Sequence, residues 1–459
     1  MIDILQLKDK ILHYAMHGLL SYKNAADTTF YDFIQDEKYN IKSKFDYKNI
    51  KKIDNEYFYQ NGNSCLNISQ NISDRNFPNH WQLVRLDFLA SFGMGQTILT
   101  KDMSNKGIPV YSATMDDKPL GYIESSKNCV NLHSGDIVIP ARGNSIGYVT
   151  YVNDENVSCT QTTIWMKLNC KAISKFVYYY LKAYKNIIFT YVGCAIPQVT
   201  VGMLSQKYIA LPPIEEQERI VSKIEELFAI VDRLAQDQID LENYKQLAKN
   251  KILDLALCGK LVKNNPILEP YKNINISINE LKIKFVSDLP KNWKWLKISD
   301  ISNSYIGLTY KPENVSNNGI IVLRSSNIQN GKLDLNDIVR VDCEINNKLM
   351  VDNGDIVICA RNGSKKLVGK SAIINNMTEP MTFGAFMAIC KSEISNYIFL
   401  FLQSSLFFNQ LNDVSGTTTI NQLTQKAFND FIIPVPPIEE QKVIIEKVQQ
   451  LFDLLDLLN

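Results

Sequence analysis

The sequence predicts an α/β (α+β) protein in which two similar globular domains of mixed β-sheet and helices are separated by a long antiparallel two-helix coiled coil. Three observations support this fold class. Apolar residues recur at heptad spacing through a long stretch in the middle of the chain, and the first half of that stretch is repeated at the C-terminus. The segments between these stretches also share matching pieces. The chain is therefore predicted to be a circular repeat with pseudo-twofold symmetry.

The central helix is predicted over residues 211–262. Pro212 and Pro213 stand at its entry, where a missing N–H is no loss, and Gly259 stands where a helix would end. Apolar residues follow at alternating spacings of four and three, which is typical of a helix that packs along a partner helix. The predicted seam is formed by Ile220, Ile224, Leu227, Val231, Leu234, Leu241, Ile252 and Leu255, with Gln238 and Lys245 at two further seam positions.

The partner helix is predicted from the two ends of the chain. Residues 435–459 copy residues 211–235 at an offset of 224, and residues 8–20 resemble residues 249–261 at an offset of 241. The two offsets sum to 465, which exceeds the 459 residues of the chain by six, so six more helical residues would close the circle. The seam positions of the C-terminal copy are Ile444, Val448, Leu451 and Leu455.

Five segments follow from this pattern: an N-terminal helix (1–20), a first globular domain (21–210), the central helix (211–262), a second globular domain (263–434) and a C-terminal helix (435–459). The second domain repeats framework points of the first. Trp293 matches Trp81, Arg361 matches Arg142, and the sequences between such points differ. This pattern is typical of two copies of one scaffold that do related jobs on different targets.

Composition places the chain among ordinary globular proteins, with 45% hydrophobic and 21% charged residues. No apolar run is long enough to span a membrane, and the N-terminus lacks the features of a signal peptide. The nine cysteines are scattered and form no CxxC pair, which indicates free thiols in a reducing cytoplasm and argues against a metal cluster. The net charge of +1 neither indicates nor excludes a nucleic-acid partner.

Two common motifs of enzymatic chemistry are missing from the sequence, which contains no P-loop and no HExxH. His13 and His17 are spaced for one helix face but have no third ligand, so we expect exposed helix surface rather than a zinc site. Asp136 and Asp355 recur in two Gly-Asp-Ile-Val strings. A catalytic carboxylate is one interpretation, and a turn that initiates a strand is the interpretation we favour. No catalytic residue and no metal ligand is predicted.

Binding features are better represented. Arg and Lys side chains suit phosphates or guanine edges and Asn suits adenine, although a solvated hairpin tip would use the same residues. In the first domain the candidates are Arg142, Asn144, Ser145 and Gln198. In the second domain they are Thr309, Tyr310, Lys311, Arg324, Ser325, Asn327, Arg361, Asn362, Ser364, Lys365, Lys366 and Gln422.

These features together resemble a known family, the specificity (S) subunit of type I restriction–modification systems. The resemblance rests on the strings ALPPIEEQERIVSKIEEL (210–227) and PVPPIEEQKVIIEKVQQL (434–451), each of which closes a domain and opens a helix. KILDLALCGKLV (251–262) and GDIVICARNGS (354–364) add to it. Residues 195–197, Ala-Ile-Pro, depart from the Gly/Thr-rich string found at 415–419, so DNA contacts of the first domain are harder to assign.

The resemblance implies a function. Each globular domain would be a target recognition domain that reads one half of a bipartite sequence in double-stranded DNA. The helices would set the spacing and dock two methyltransferase (modification) subunits, which carry the S-adenosylmethionine, and two restriction (motor-nuclease) subunits can join. This chain itself would bind no cofactor, catalyse nothing, and work in the cytoplasm without a membrane.

Helix length agrees with that function. About 44 residues at ~1.5 Å each span on the order of 65 Å, roughly two turns of a DNA duplex. Two other interpretations remain: a non-enzymatic coiled-coil scaffold that carries two β-rich binding modules, and a repeat hydrolase that uses Asp136 and Asp355. The scaffold predicts no salt-dependent affinity for DNA. The hydrolase predicts that Asp→Asn changes abolish activity.

Overall fold

A computed structural model describes residues 2–22, 24–35, 49–124, 129–189, 198–272, 274, 289–415 and 422–458. The strings at 195–197 and 416–419 therefore lie outside the described residues. The chain forms two compact units, Met1–Gln238 and Ile239–Asn459, and the division falls inside one long helix. No described helix is long and apolar enough to cross a membrane.

The first unit begins with a helix and ends with the long helix. Its elements are α1 (Ile4–Met16), α2 (Phe30–Gln35), β1 (Ile50–Ile53), β2 (Glu56–Asn61), β3 (Ser64–Asn67), β4 (Gln82–Arg85), α3 (Leu86–Leu89), β5 (Ala90–Met94), β6 (Ile108–Tyr111), β7 (Gly121–Ile123), β8 (Ile137–Pro140), β9 (Thr150–Tyr151), β10 (Ser158–Cys159), β11 (Thr163–Leu168), α4 (Ser174–Ala183), α5 (Lys185–Ile188), α6 (Val201–Ser205), β12 (Tyr208–Leu211) and the first part of α7 (Ile214–Leu257).

The second unit contains the rest of α7 and a matching series. Its further elements are β13 (Lys294–Lys297), α8 (Ile298–Ile301), β14 (Asn303–Ile306), β15 (Val315–Leu323), β16 (Ile328–Gln329), β17 (Lys332–Leu333), β18 (Val339–Val341), β19 (Ile356–Cys359), β20 (Ser371–Ile373), β21 (Met381–Phe383), β22 (Met387–Lys391), α9 (Ser395–Leu402), α10 (Ser405–Ser415), α11 (Gln425–Asp430), β23 (Ile432–Val435) and α12 (Ile438–Asp456).

The two units repeat one sheet arrangement. A four-stranded antiparallel sheet has the order β5-β11-β8-β9 in the first unit and β14-β22-β19-β20 in the second. A three-stranded sheet with one parallel contact follows in each, as β10-β6-β7 and β18-β15-β21. The strand that leads into α7 or α12 pairs with the strand before α3 or α8. The predicted internal repeat is therefore confirmed. The meander β1-β2-β3 occurs in the first unit and the hairpin β16-β17 in the second.

Helix α7 is shorter at both ends than the predicted range 211–262. Leu211 belongs to β12, and the helix begins at Ile214 after the two prolines. Glu215 and Glu216 occupy the first turn, where carboxylates stabilise the positive end of the helix dipole. At the other end, Gly259 adopts a φ of +67, a conformation that lets the following N–H groups reach back to the last helical carbonyls.

Each half of α7 packs against a terminal helix of its own unit. In the first unit, Lys8 Nζ lies 2.5 Å from Asp232 Oδ1. In the second, Lys249 Nζ lies 2.6 Å from Asp456 Oδ1. These two ion pairs are equivalent under the offsets of 241 and 224, because Lys8 matches Lys249 and Asp232 matches Asp456. The two chain ends, whose sequences copy parts of α7, thus also make equivalent contacts with α7.

The direction of packing is antiparallel in both units. Lys8 contacts Asp232, and further along the chain Ser21 Oγ donates to Glu216 Oε1 at 3.0 Å. The N-terminal segment and α7 therefore run in opposite directions. In the second unit Asn264 Nδ2 donates to Glu440 Oε2 at 3.1 Å, and contacts move backward along α12 as the chain leaves α7.

The predicted seam positions are buried to different extents. The fully buried members are Ile220, Ile224, Val231, Ile444 and Val448, and the half-buried members are Leu227, Leu241, Ile252, Leu255, Leu451 and Leu455. Leu234 is 37% exposed. Lys245, at an unexpected polar seam position, is only 7% exposed and pairs with Glu242 at 3.0 Å.

Candidate nucleic-acid interface

The candidate residues gather around one backbone feature that occurs once in each unit. Strand β8 runs into Arg142, which forms an isolated antiparallel bridge with Gln198. Strand β19 runs into Arg361, which forms the same bridge with Gln422. Both arginines therefore lie where a buried strand reaches the surface, and each pairs with a glutamine that stands at the equivalent place in its unit.

Main-chain hydrogen bonds hold this feature in place. In the first unit the N–H of Ala141 donates to the carbonyl of Thr162 at 2.9 Å, and its own carbonyl accepts from Val199 N–H at 2.9 Å. In the second unit the N–H of Ala360 donates to the carbonyl of Phe386 at 2.9 Å, and its carbonyl accepts from Leu423 N–H at 2.7 Å. We call these two equivalent features the bridged turns.

In the first unit, Arg142, Asn144 and Gln198 are exposed at the bridged turn. Ser145 is not. It is 6% exposed, and its hydroxyl donates to the carbonyl of Arg142 at 3.5 Å, within the turn itself. Small hydroxyl side chains commonly bond nearby backbone groups in turns.

In the second unit, Arg361, Lys365 and Lys366 are exposed, as is Ser364. Among the described residues, no carboxylate lies within ion-pair distance of any of these three cations. Asn362 is half-buried and its Nδ2 donates to Ser325 Oγ at 3.2 Å. The structure thus brings together two candidate groups that are 37 residues apart in sequence.

Two other candidates of the second unit serve the loop around them. Asn327 is 1% exposed: its Oδ1 accepts from Arg324 N–H at 2.9 Å, and its Nδ2 donates to the carbonyls of Asp334 and Asp337. The Asn327 amide is therefore committed to folding the loop in this structure. Arg324 is half-buried and pairs with Asp337 at 2.8 Å.

The remaining candidates precede β15. Thr309 and Lys311 are exposed, and Tyr310 is half-buried. They follow Leu308, which forms a parallel bridge with Gly384 in the turn between β21 and β22. That bridge carries the segment toward the bridged turn of the second unit, because Phe386 lies two residues beyond Gly384.

Phe386 was missed by sequence reasoning. It is 60% exposed, and the guanidinium carbon of Arg361 lies 5.3 Å from its ring centroid. In sequence it belongs to an apolar run that reads as core, so composition gave no sign of its exposure. The matching position in the first unit is Thr162, whose hydroxyl lies 2.8 Å from that of Thr160.

The repeated Gly-Asp strings form structural turns. Asp136 is 2% exposed, accepts from His133 N–H at 2.9 Å, and pairs with Lys171. Asp355 likewise accepts from a backbone N–H and pairs with Lys391 at 2.7 Å, while burial raises the pKa of its carboxyl. These contacts favour the turn interpretation.

The rings of His13, in α1, and His17, just beyond its end, lie 4.1 Å apart between centroids. His17 Nε2 faces Asp74 Oδ2 at 3.0 Å, and its Nδ1 lies 2.7 Å from the carbonyl of His13. Among the described residues, no group of three or more His, Cys, Asp or Glu side chains is arranged to hold a metal ion.

Comparison with known proteins gives one consistent result. A family model described as "Type I restriction modification DNA specificity domain" matches residues 78–243 and 290–459, well over half of the chain. The EcoKI specificity subunit of Escherichia coli is 35% identical over 176 residues, which is 37% of this chain and 38% of that relative. The EcoBI specificity subunit of Escherichia coli is 23% identical over 85% of this chain and 83% of that relative.

A solved structure gives the same fold. It comes from work on "complex assembly" and "conformational transition of the type I R-M system", has a TM-score of 0.56 at 19% identity, and covers 83% of this chain and 92% of that chain.

Proposed function

Because the chain belongs to the type I restriction–modification DNA specificity family, we propose that it is the subunit that reads DNA and that each unit reads one half of a bipartite sequence. The observation that carries this proposal is the pair of bridged turns. They share one backbone arrangement, yet they present different side chains: Asn144 near Arg142, but Phe386, Lys365 and Lys366 near Arg361. Two bridged turns with the same backbone and different exposed side chains suit two domains that read different bases.

The chemistry of the exposed groups supports contact with a duplex. Arg361 can donate two parallel hydrogen bonds to guanine O6 and N7, and lysines such as Lys365 and Lys366 can neutralise phosphates. Because no carboxylate in the part of the chain that the structure describes pairs with them, these cations can contact phosphates without first breaking an ion pair. This argument is weaker for Arg324, which already pairs with Asp337.

The helices are proposed to dock two methyltransferase subunits. Large apolar side chains remain exposed on the helices of each unit: Leu5, Ile230 and Leu234 in the first, and Tyr244, Leu247 and Leu454 in the second. Exposed apolar side chains that gather into a patch mark sites of protein association. The S-adenosylmethionine and the catalytic groups would belong to the partner, and restriction subunits would join the same complex.

The length of α7 is proposed to set the spacing between half-sites. Its 44 residues span about 66 Å at ~1.5 Å per residue. Inserting one heptad into α7, and its counterpart into the helix formed by the two chain ends, would add ~10 Å, or about three base pairs. We expect the preferred gap to lengthen by that amount, and an unchanged gap would contradict the spacing role.

The test of the proposed function is base-resolved mapping of methylated DNA. The chain is co-expressed with its cognate methyltransferase subunit, and a strain without the chain is the control. We expect a split motif that is methylated only when the chain is present. If the complex assembles and no new methylation appears, DNA reading is refuted and a coiled-coil scaffold becomes the better interpretation.

A further inference from the structure

Phe386 is a large apolar side chain held in the open by a rigid backbone. It lies between β21 and β22, where the N–H of Met387 donates to the carbonyl of Gly384 at 2.8 Å and closes a tight turn. Its own carbonyl accepts from both Ala360 N–H at 2.9 Å and Arg361 N–H at 3.0 Å. These bonds fix the backbone of the turn, and this backbone places the ring outside the core.

The turn is also braced from the side. Gly307 passes so close that a Cβ there would lie 2.3 Å from the carbonyl oxygens of Phe383 and Gly384. Such close approach of two backbone segments leaves little room for movement. The phenyl ring of Phe386 is 60% exposed on this rigid turn, so packing in the core does not account for its presence.

The ring also orients its neighbour. The Arg361 guanidinium lies 5.3 Å from the ring centroid, a distance at which the cation is attracted to the ring face. An arginine stacked in this way has fewer orientations open to its donors. Phe386 and Arg361 therefore form one fixed surface with an apolar face beside a planar set of N–H donors.

The first unit differs at the same place. Thr162, the match of Phe386, belongs to a hydroxyl cluster in which Ser112 Oγ and Thr160 Oγ1 lie 2.9 Å apart, and Thr160 Oγ1 and Thr162 Oγ1 lie 2.8 Å apart. Hydroxyls can donate or accept and discriminate bases less sharply than an arginine fork does. One backbone position thus carries two different recognition chemistries.

We propose that Phe386 and Arg361 act as a specificity-determining pair that reads a guanine and an adjacent thymine in the half-site of the second unit, and that Thr162 occupies the corresponding position for the other half-site. Arg361 would donate to guanine O6 and N7, and the Phe386 ring would contact the thymine 5-methyl group, the apolar feature of the major groove. This inference rests on the proposed function of the chain.

The experiment uses the assembled complex and duplexes that carry the motif found by methylation mapping. Each thymine is replaced in turn by uracil, which removes only the 5-methyl group, and each guanine by 7-deazaguanine, which removes the N7 acceptor. For wild type we expect one thymine whose replacement weakens binding about fourfold, the effect of losing one buried methyl contact. We expect an adjacent guanine whose replacement weakens binding about fivefold or more.

Variants then assign these effects to side chains. Phe386→Ala should bind the thymine and uracil duplexes equally, and Arg361→Met, which has no N–H donor in its side chain, should lose the preference for guanine over 7-deazaguanine. Ile267→Ala, which changes an apolar side chain of the same unit that is 87% exposed, should keep both preferences. Thr162→Val should alter discrimination in the other half-site alone.

Several results would overturn the inference. One is a second half-site without an adjacent guanine and thymine. Another is a Phe386→Ala variant that keeps the wild-type sensitivity to the methyl group, or that weakens binding equally on every duplex. A wild-type complex that methylates no motif would instead refute the proposed function itself, so the two failures are distinguishable.

Discussion

Replacing the buried carboxylate of Glu216 by an amide should destabilise the first unit more than the same change at Glu440 destabilises the second. Glu216 is 1% exposed and joins three parts of its unit. Its oxygens accept from Ser21 Oγ at 3.0 Å and Trp81 Nε1 at 3.2 Å, and one lies 2.8 Å from His80 Nε2. The residue ties the start of α7 to the segments before and after α2.

The magnitude follows from the number of donors. A hydrogen bond to a charged group contributes about 1.5–3 kcal/mol, against about 1 kcal/mol for a neutral pair. Glu216→Gln keeps one acceptor oxygen for Ser21 and Trp81 and places an NH₂ group near His80. We therefore expect the first unit to lose about 2–4 kcal/mol.

Glu440 is the matched control at the equivalent position. It is 4% exposed, and its neutral donor Asn264 lies 3.1 Å away. Burial raises the pKa of its carboxyl and outweighs the opposing effect of the two neutral donors Trp293 and Asn264. The charged form is thus poorly compensated, and an uncharged amide avoids the cost of removing a charge from water. Glu440→Gln should change the stability of the second unit by less than about 1 kcal/mol.

Hydrogen exchange on the full chain can measure the two effects separately, because a protein with two units has no single free energy of unfolding. The amides of β12 and the start of α7 report on the first unit, and those of β23 and α12 report on the second. Equal effects of the two substitutions, or a first unit stabilised by Glu216→Gln, would refute the reasoning.

Other positions test the backbone, the core and titration. Gly307→Ala should cost the second unit about 1–3 kcal/mol in the same hydrogen-exchange measurement because of its clash with backbone oxygens, whereas Gly363→Ala, with open space around it, should not. Leu253→Ala, which truncates a 2% exposed side chain of α7 in the core of the second unit, should lose about 2–5 kcal/mol, while Leu247→Ala, 62% exposed, should leave folding unchanged and weaken methyltransferase binding in a titration. Because the pKa of Glu440 is raised in the folded state, its carboxyl contributes stability below the ordinary value of 4.5, and this is lost as pH rises through the folded pKa. A pH series of wild type against Glu440→Gln should show that loss; a flat difference would contradict it.

The repeat and the long helix could be predicted because their signals are local and occur twice. The heptad pattern of α7 and its copy in α12 needed no knowledge of distant contacts. The framework of the site was also accessible, since Arg142 and Arg361 follow equivalent strands. Side-chain roles within the site were harder, because Ser145 and Asn327 are short polar residues that suit either a ligand or a turn.

The exposure of individual side chains was the property that was hardest to predict from the sequence. Phe386 stands in an apolar run, and only the tight turn after β21 places its ring outside the core. The hydroxyl cluster of Ser112 and Thr162 joins segments 50 residues apart, a contact that no local pattern encodes. Near the site, long-range backbone pairing decides which way polar and apolar side chains face, and local sequence patterns do not encode that pairing.

The bridged turns have a consequence for how such a protein can evolve. The bonds that fix them run between main-chain atoms, from Ala141 to Thr162 and from Ala360 to Phe386. Main-chain bonds form whichever side chain is attached, so mutation at position 162 or 386 leaves the frame intact. Selection can then explore new target sequences without first restoring a damaged fold, and the two halves of the protein can diverge independently while the gene keeps encoding a foldable chain.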